Sequence, residues 1–396
     1  MVNRKEKSLY RLLPYGIVLV VILLLVIMPQ ENADFQSLVS SGISYQRGTV
    51  IQVLSQSLEE SPLGSGMLGS QDLAVRLQDG SEVQMTNYLT DTHNILAEEG
   101  SKVIICVDAP DGVEPYYTVY NYDRTSALVL IFAVFILLMM LVGGKQGANA
   151  VLALAVSLLL IVRFTVPAIY RGGSPIAVGA ITVFAATAVT LLLLHGATVR
   201  ALLAAGVTLA GEGTACMLFA VSSALLHIGG FQTDQAEGLL VVAQNTGLHL
   251  KTLLFAATMI ASLGAVMDVA VSLLSALWEL KQQGTQDGGQ LFRSGMNIGK
   301  DMIGTMSNTL IFAFAGNALA TMLSLTAYGV QSAQLLNSDY IALEIAQGLC
   351  GTGGVILTVP IASAAAAALF SRWKAPDRKP VHIEEKTCTH EKGVTL

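Results

Sequence analysis

From residue 125 onward the chain is a succession of apolar blocks separated by short polar breaks. The blocks are Ala127–Val142, Ala148–Val166, Ile176–Leu194, Val199–Leu226, Leu250–Trp278, Met302–Leu325 and Ile345–Phe370. A helix needs about 20 apolar residues to cross a bilayer core about 30 Å thick. In hydrocarbon the backbone must satisfy its own hydrogen bonds, so separate apolar segments of this length can only be helices. An eighth block, Leu12–Met28, follows Arg4, Lys5, Lys7 and Arg11. The expected fold class is an α-helical polytopic membrane protein of about eight transmembrane helices. Composition agrees: 53% of residues are hydrophobic and only 13% charged, about half the charged share of a soluble domain.

A basic flank before an apolar core resembles a signal peptide. Pro29-Gln30-Glu31 follows the core instead of a small-x-small cleavage site, so the block reads as an uncleaved signal anchor. The net charge of −6 is spread over the breaks and offers no surface for nucleic acid. Cys106, Cys216, Cys350 and Cys388 share no metal-ligand spacing. Only Cys106 lies in the region expected outside, so no disulfide framework is expected. The histidines show no HExxH spacing. The sequence specifies no cofactor and leaves open whether a metal ion is bound. The expected partners are the lipid bilayer itself and either a second copy of the chain or a partner membrane subunit.

Residues 34–124 differ in character. Ile43–Ser55, Leu73–Gln78, Glu82–Tyr88, Val103–Val107 and Tyr116–Tyr122 are rich in β-formers. Asp79-Gly80 is a hairpin signal between two of them, and Glu59–Ser70, rich in Gly, Ser and Pro, reads as a loop. The expectation is a small β-rich domain, OB-like in size and strand number. Lys and Arg in short loops set orientation. With the N-terminus inside, Lys145, Arg200, Lys281, Arg293 and Lys300 fall inside, as do Arg372, Lys374, Arg378 and Lys379 of the tail. The short outer loops keep only Arg171 and Lys251. Both termini are therefore expected in the cytoplasm and the β-rich domain outside. The domain bounds that follow are 1–30 for the anchor, 31–125 for the β-rich domain, 126–371 for seven helices and 372–396 for a cytoplasmic tail.

Ionisable residues inside a span are unfavourable by about 2.5–3.5 kcal/mol and mark candidate sites. Glu212 lies mid-span between Gly211 and Gly213, with Thr208 and Cys216 one turn away. It reads either as an ion or proton site at a weak point in the helix or as a break between two short helices. Asp268 heads a stripe of Gly264, Asp268, Ser272, Ser275 and Glu279, aligned by spacings of three and four. It reads as a cation or proton carboxylate or as a polar lock between helices. Asp301, Thr305, Asn308 and Phe312 form a third stripe, its polar content extended by Gly316-Asn317, in which Asp301 also suits a helix N-terminus. Asn308 would pair with Asp268 if the two helices present those faces to one another. Arg163 is expected to snorkel, and Gly351-Thr352-Gly353-Gly354 marks tight packing or local unwinding. Gly229–Gly247 reads as an outer loop.

Two of these segments are similar to the signature of a known family. They are Gly264-Ala265-Val266-Met267-Asp268-Val269-Ala270-Val271-Ser272 with Glu279-Leu280, and the run from Ile298-Gly299-Lys300-Asp301 through Ser307-Asn308 to Gly316. They resemble the YibE/F-like membrane proteins over roughly residues 120–370, and the anchor with its β-rich domain looks like that family's front end. The resemblance implies a multi-pass protein of the bacterial cytoplasmic membrane, described as a permease. It brings no substrate and no catalytic or binding residues.

The leading expectation is a transporter or permease, or a subunit of one, coupled to a cation or proton, and not an enzyme. Its candidate polar site comprises Glu212, Asp268, Ser272, Asp301, Thr305 and Asn308. The alternative is a non-enzymatic membrane protein of envelope assembly or sensing. A remote alternative is an intramembrane aspartyl protease using Asp268 and Asp301, although Ile298-Gly299-Lys300-Asp301 departs from the Gly-x-Gly-Asp pattern of such enzymes.

Overall fold

The computed structural model describes residues 4–27, 42–62, 64, 66–110, 112–230, 236–284 and 287–370. The basic tail and the stretch Pro29-Gln30-Glu31 lie outside the described residues. Two compact units emerge, one of Asn32–Val151 and one of Met1–Glu31 with Leu152–Leu396.

The first unit holds β1 (Ile43–Glu60), β2 (Met67–Leu77), β3 (Glu82–Leu89), β4 (Lys102–Asp108) and β5 (Tyr116–Tyr122). They form one antiparallel sheet in the order β3-β2-β1-β4-β5. The alternation of apolar and polar residues sets its inner face. Leu73, Val75 and Leu77 of β2 and Val103, Ile105 and Val107 of β4 are buried around Val50, Met85, Ile95 and Val119. The loop expected over Glu59–Ser70 is shorter than that, because β1 and β2 pair as far as Glu60↔Met67. Backbone ladder bonds, which do not depend on apolar side chains, extend both strands through these polar residues.

The segment after β3 is tied across the sheet by buried amides. Gln71 Nε2 donates to Ala97 O at 3.1 Å, and Ala97 N donates to Gln71 Oε1 at 3.0 Å. Asn87 Nδ2 donates to Ile95 O at 2.7 Å, Tyr122 OH donates to Leu96 O at 2.6 Å, and the His93 ring bonds Val119 O at 3.0 Å. The segment is thus fastened to β2, β3 and β5 together.

On the exposed face, Asp72 accepts from Ser55 Oγ at 2.6 Å and from Thr86 Oγ1 at 2.8 Å. These two bonds, Ser55 first, hold its carboxyl below the usual carboxylate range. A depressed folded-state pKa contributes stability above the unfolded value and loses it as pH falls through the folded one. The β-rich unit is therefore expected to weaken below about pH 4. Thermal unfolding of the full chain against pH, followed by near-ultraviolet circular dichroism, should show a shallower acid loss in D72N. An unchanged acid slope would remove Asp72 as a contributor.

The remaining elements are helical: α1 (Arg4–Ile27), α2 (Thr125–Leu160), α3 (Val166–Tyr170), α4 (Pro175–His195), α5 (Val199–Leu225), α6 (Ala236–Thr246), α7 (Leu250–Gln283), α8 (Gly288–Ala327), α9 (Ser332–Leu336) and α10 (Asp339–Phe370). A π-helical turn, Ile161–Thr165, joins α2 to α3 and carries the half-buried Arg163. Six helical runs among the described residues are long and apolar enough to cross a membrane: Thr125–Tyr170, α4, α5, α7, α8 and α10. Two of the apolar blocks lie within Thr125–Tyr170, which has non-helical backbone at Gly144 (φ 54°, ψ −131°). The anchor appears as a shorter apolar stretch, Pro14–Ile27. The expected loop over Gly229–Gly247 contains α6, Ala236–Thr246, instead.

The core of the second unit is built by α10, which packs on α5, α7 and α8. Its small residues set the spacing. The expected choice at Gly351–Gly354 resolves to tight packing within an unbroken helix. A Cβ on Gly354 would stand 2.7 Å from Ala215 Cβ, and one on Gly351 3.0 Å from Leu310 Cδ2. Gly295 of α8 abuts Ser363 and Leu277 in the same way, and Gly299 abuts Val359.

Candidate functional site

The α5 helix begins at Thr198, whose Oγ1 accepts from Ala201 N at 3.2 Å, an N-cap that satisfies one of the free amides. The helix then runs without interruption through Gly211-Glu212-Gly213. The break considered at Glu212 is absent. Two glycines weaken a helix only by about 1 kcal/mol each, and the packing of Gly211 against α7 and α10 holds it straight. A Cβ on Gly211 would collide with Thr358 Oγ1 and stand 2.7 Å from Val266 Cγ1. Backbone contact at Gly211 draws the next residue, Glu212, into the interface.

Glu212 is 2% exposed and stands at the midpoint of α5. Ser262 Oγ of α7 donates to Glu212 Oε2 at 2.9 Å. Glu212 Oε1 is buried without a protein partner, as is Thr208 Oγ1 one turn away. Ser262 also bonds Thr258 O at 2.9 Å, and Thr258 Oγ1 accepts from Gln347 Nε2 of α10 at 3.1 Å. One turn earlier on α10, Glu344 Oε1 accepts from Asn317 Nδ2 of α8 at 2.9 Å. A buried polar seam therefore runs through α10, α7 and α5, from Glu344 and Gln347 to Thr258, Ser262 and Glu212, with the exposed Asn317 of α8 at its outer end.

The other expected site residues lie elsewhere. Gly264, Asp268, Ser272, Ser275 and Glu279 are all exposed on one face of α7. Asp301, Thr305 and Asn308 are exposed on α8. Thr305 Oγ1 bonds back to Met302 O of its own helix at 3.1 Å. Among the described residues, Asp268 and Asn308 share no hydrogen bond. Their stripes point away from the packed face, which α7 fills with Val266, Val269, Ala270 and Leu273. Of the six candidates, only Glu212 enters the buried seam.

Sequence reasoning passed over Ser262, Thr258, Gln347 and Glu344. The Thr258/Ser262 pair at a spacing of four was a legible signal, on a different face of α7 from Asp268. Glu344 was missed because the last apolar block was begun at Ile345, one residue too late. No group of three or more His, Cys, Asp or Glu among the described residues is placed to hold a metal ion. Cys106, Cys216 and Cys350 are free thiols.

No curated protein and no solved structure matches the chain. The family model described as YibE/F-like protein matches residues 131–372, more than half the chain and all of the seam. The chain is thus a membrane-helix protein that belongs to the YibE/F-like family.

Proposed function

We propose that the chain is a transporter or permease, or a subunit of one, coupled to a proton or monovalent cation held at Glu212. The observation that carries this reading is the Glu212 carboxylate, buried mid-helix with one oxygen on Ser262 and the other unmatched. An ionised carboxylate in that position, facing no cation, would be unfavourable by several kcal/mol. It is therefore stable only with a proton or a bound cation, and exchange of that ion is what a coupling site does. Transporter sites are often near the midplane at helix interfaces, and Glu212 is the central residue of α5.

The topology proposed with it has eight spans, the break at Gly144 dividing the first long run in two and α1 supplying the anchor. Both termini face the cytoplasm of a bacterial cell, as the Lys and Arg bias requires, and the β-rich domain lies outside. That domain is proposed to be OB-like, since its β3-β2-β1-β4-β5 order leaves only a β3–β5 pairing to close a barrel.

The test is ion flux into proteoliposomes loaded with a proton-, sodium- or potassium-sensitive dye matched to the gradient imposed. Wild type should dissipate at least one gradient, and E212Q should reduce that flux at least tenfold while inserting normally. Wild-type flux in E212Q would sink the reading. D268N, on the exposed α7 stripe, forms a separate arm: unchanged flux there would confine the ion site to the buried seam.

A further inference from the structure

The β1 strand changes neighbours along its length. It pairs with β4 from Ile43 to Thr49 and with β2 from Gly48 to Glu60. On the β4 side its last bonds are those of Val50, with Ser101 O at 2.9 Å and Gly100 N at 2.8 Å. Register shifts between Val50 and Gln52 and between Val53 and Ser55 mark bulges, which bend a strand. From Gln52 to Glu60 the backbone groups that turn away from β2 meet no other strand among the described residues. Along this free edge runs a groove of about 600 Å³, lined by Val53, Leu54 and Leu58 of β1 and by Leu96, Glu98 and Glu99 of the segment after β3. Leu54 is 45% exposed, and Glu98 and Glu99 are exposed, so the groove is open to solvent.

An open edge takes up another extended chain by main-chain pairing, while side chains beside it set the choice of partner. Here the choice is made by charge. Glu59 and Glu60 continue the edge, and Glu98 and Glu99 face it across the groove. None of the four has an ion-pair partner among the described residues. Residues 52–60 and 96–99 contain no Lys or Arg. The arginines of the sheet are engaged elsewhere, Arg47 with Asp123 at 3.4 Å and Arg76 with Glu82 at 2.8 Å. A second copy would bring the same carboxylates to the edge, and like charges repel. A strand rich in Lys or Arg would meet all four glutamates, and its apolar residues would cover Leu54 and Leu58. We propose that Gln52–Glu60 of β1 is a docking edge for an extended basic segment of a partner protein, added to the sheet beside β1. The edge belongs to the β-rich unit and does not depend on ion exchange at Glu212.

The probe is a fluorescein-labelled heptapeptide of alternating lysine and valine, titrated into the full chain in neutral detergent and read by fluorescence anisotropy. Wild type should bind it saturably and at least tenfold more tightly than a glutamate–valine counterpart, with affinity falling as salt screens the charges. E98Q/E99Q should weaken binding at least tenfold; both side chains are exposed, so the fold should be kept. E59Q/E60Q is the second variant and should act in the same direction. Strand pairing has its own signature, because every second amide of an added strand faces β1. N-methylation of either the lysine or the valine amides, but not of both sets, should therefore abolish binding. Loss with neither set or with both would overturn strand addition. Wild-type affinity in both glutamine variants, or equal binding of the acidic peptide, would overturn the choice of a basic partner. A disulfide-linked dimer of S57C formed without peptide would name a second copy as the occupant and overturn the proposal as well.

Discussion

Valine in place of Gly211 is expected to stop the α5–α7–α10 core from closing. The first added carbon already collides with Thr358 Oγ1 and comes within 2.7 Å of Val266 Cγ1. Both neighbours are fully buried, and Thr358 Oγ1 is held by Gly354 O at 2.7 Å. Neither can swing aside without opening a second gap. Overpacking commonly costs about 1–3 kcal/mol, and here the obstacle is met on two helices at once, so the upper end of that range is expected. Gly213 supplies the control, since nothing lies within 4 Å of a Cβ there. Size-exclusion of detergent extracts should show G211V aggregated or absent and G213A monodisperse like wild type. Equal behaviour of the two would disprove the close contact at Gly211.

Leucine in place of Gln71 is expected to loosen the β-rich unit by about 3 kcal/mol, because each buried group left without a partner costs about 1–3 kcal/mol. Gln71 is 1% exposed and serves both the amide and the carbonyl of Ala97. It also accepts from Asn87 Nδ2 at 3.3 Å. Leucine fills the space but offers none of these bonds. Hydrogen–deuterium exchange on the full chain should show lost protection at residues 95–97 and along β2, with the helices unchanged. Exchange indistinguishable from wild type would show that the bracket is dispensable.

The helices were legible because the lipid solvent leaves an uninterrupted apolar signature, and Tyr116–Tyr122 because strand-formers there stand clear of turn residues. The polar ends of β1 and β2 were not legible: their pairing is a backbone property, and Ser55–Glu60 carries no alternation. The fate of the carboxylates was half legible. Spacing alone grouped Asp268 with Ser272 and Glu279 correctly on one face of α7. It could not say which face of a helix meets its neighbours, and in this fold that face belongs to Val266, Ala270 and Thr258. Glu212 was found because a charge between two glycines is rare in a span. Its bond to Ser262 depends on a contact between residues 50 positions apart, which no local pattern contains.

The glycine contacts also bear on how such a bundle can move. Where Gly211 meets Val266 and Thr358, backbone stands almost directly on side chain, with no lubricating layer of long residues between. Interfaces that close resist gradual sliding and are either engaged or parted. The packing at the level of Glu212 is therefore expected to part as a whole or not at all. Any gradual displacement within the helical unit is left to α8, most of whose surface is uncovered.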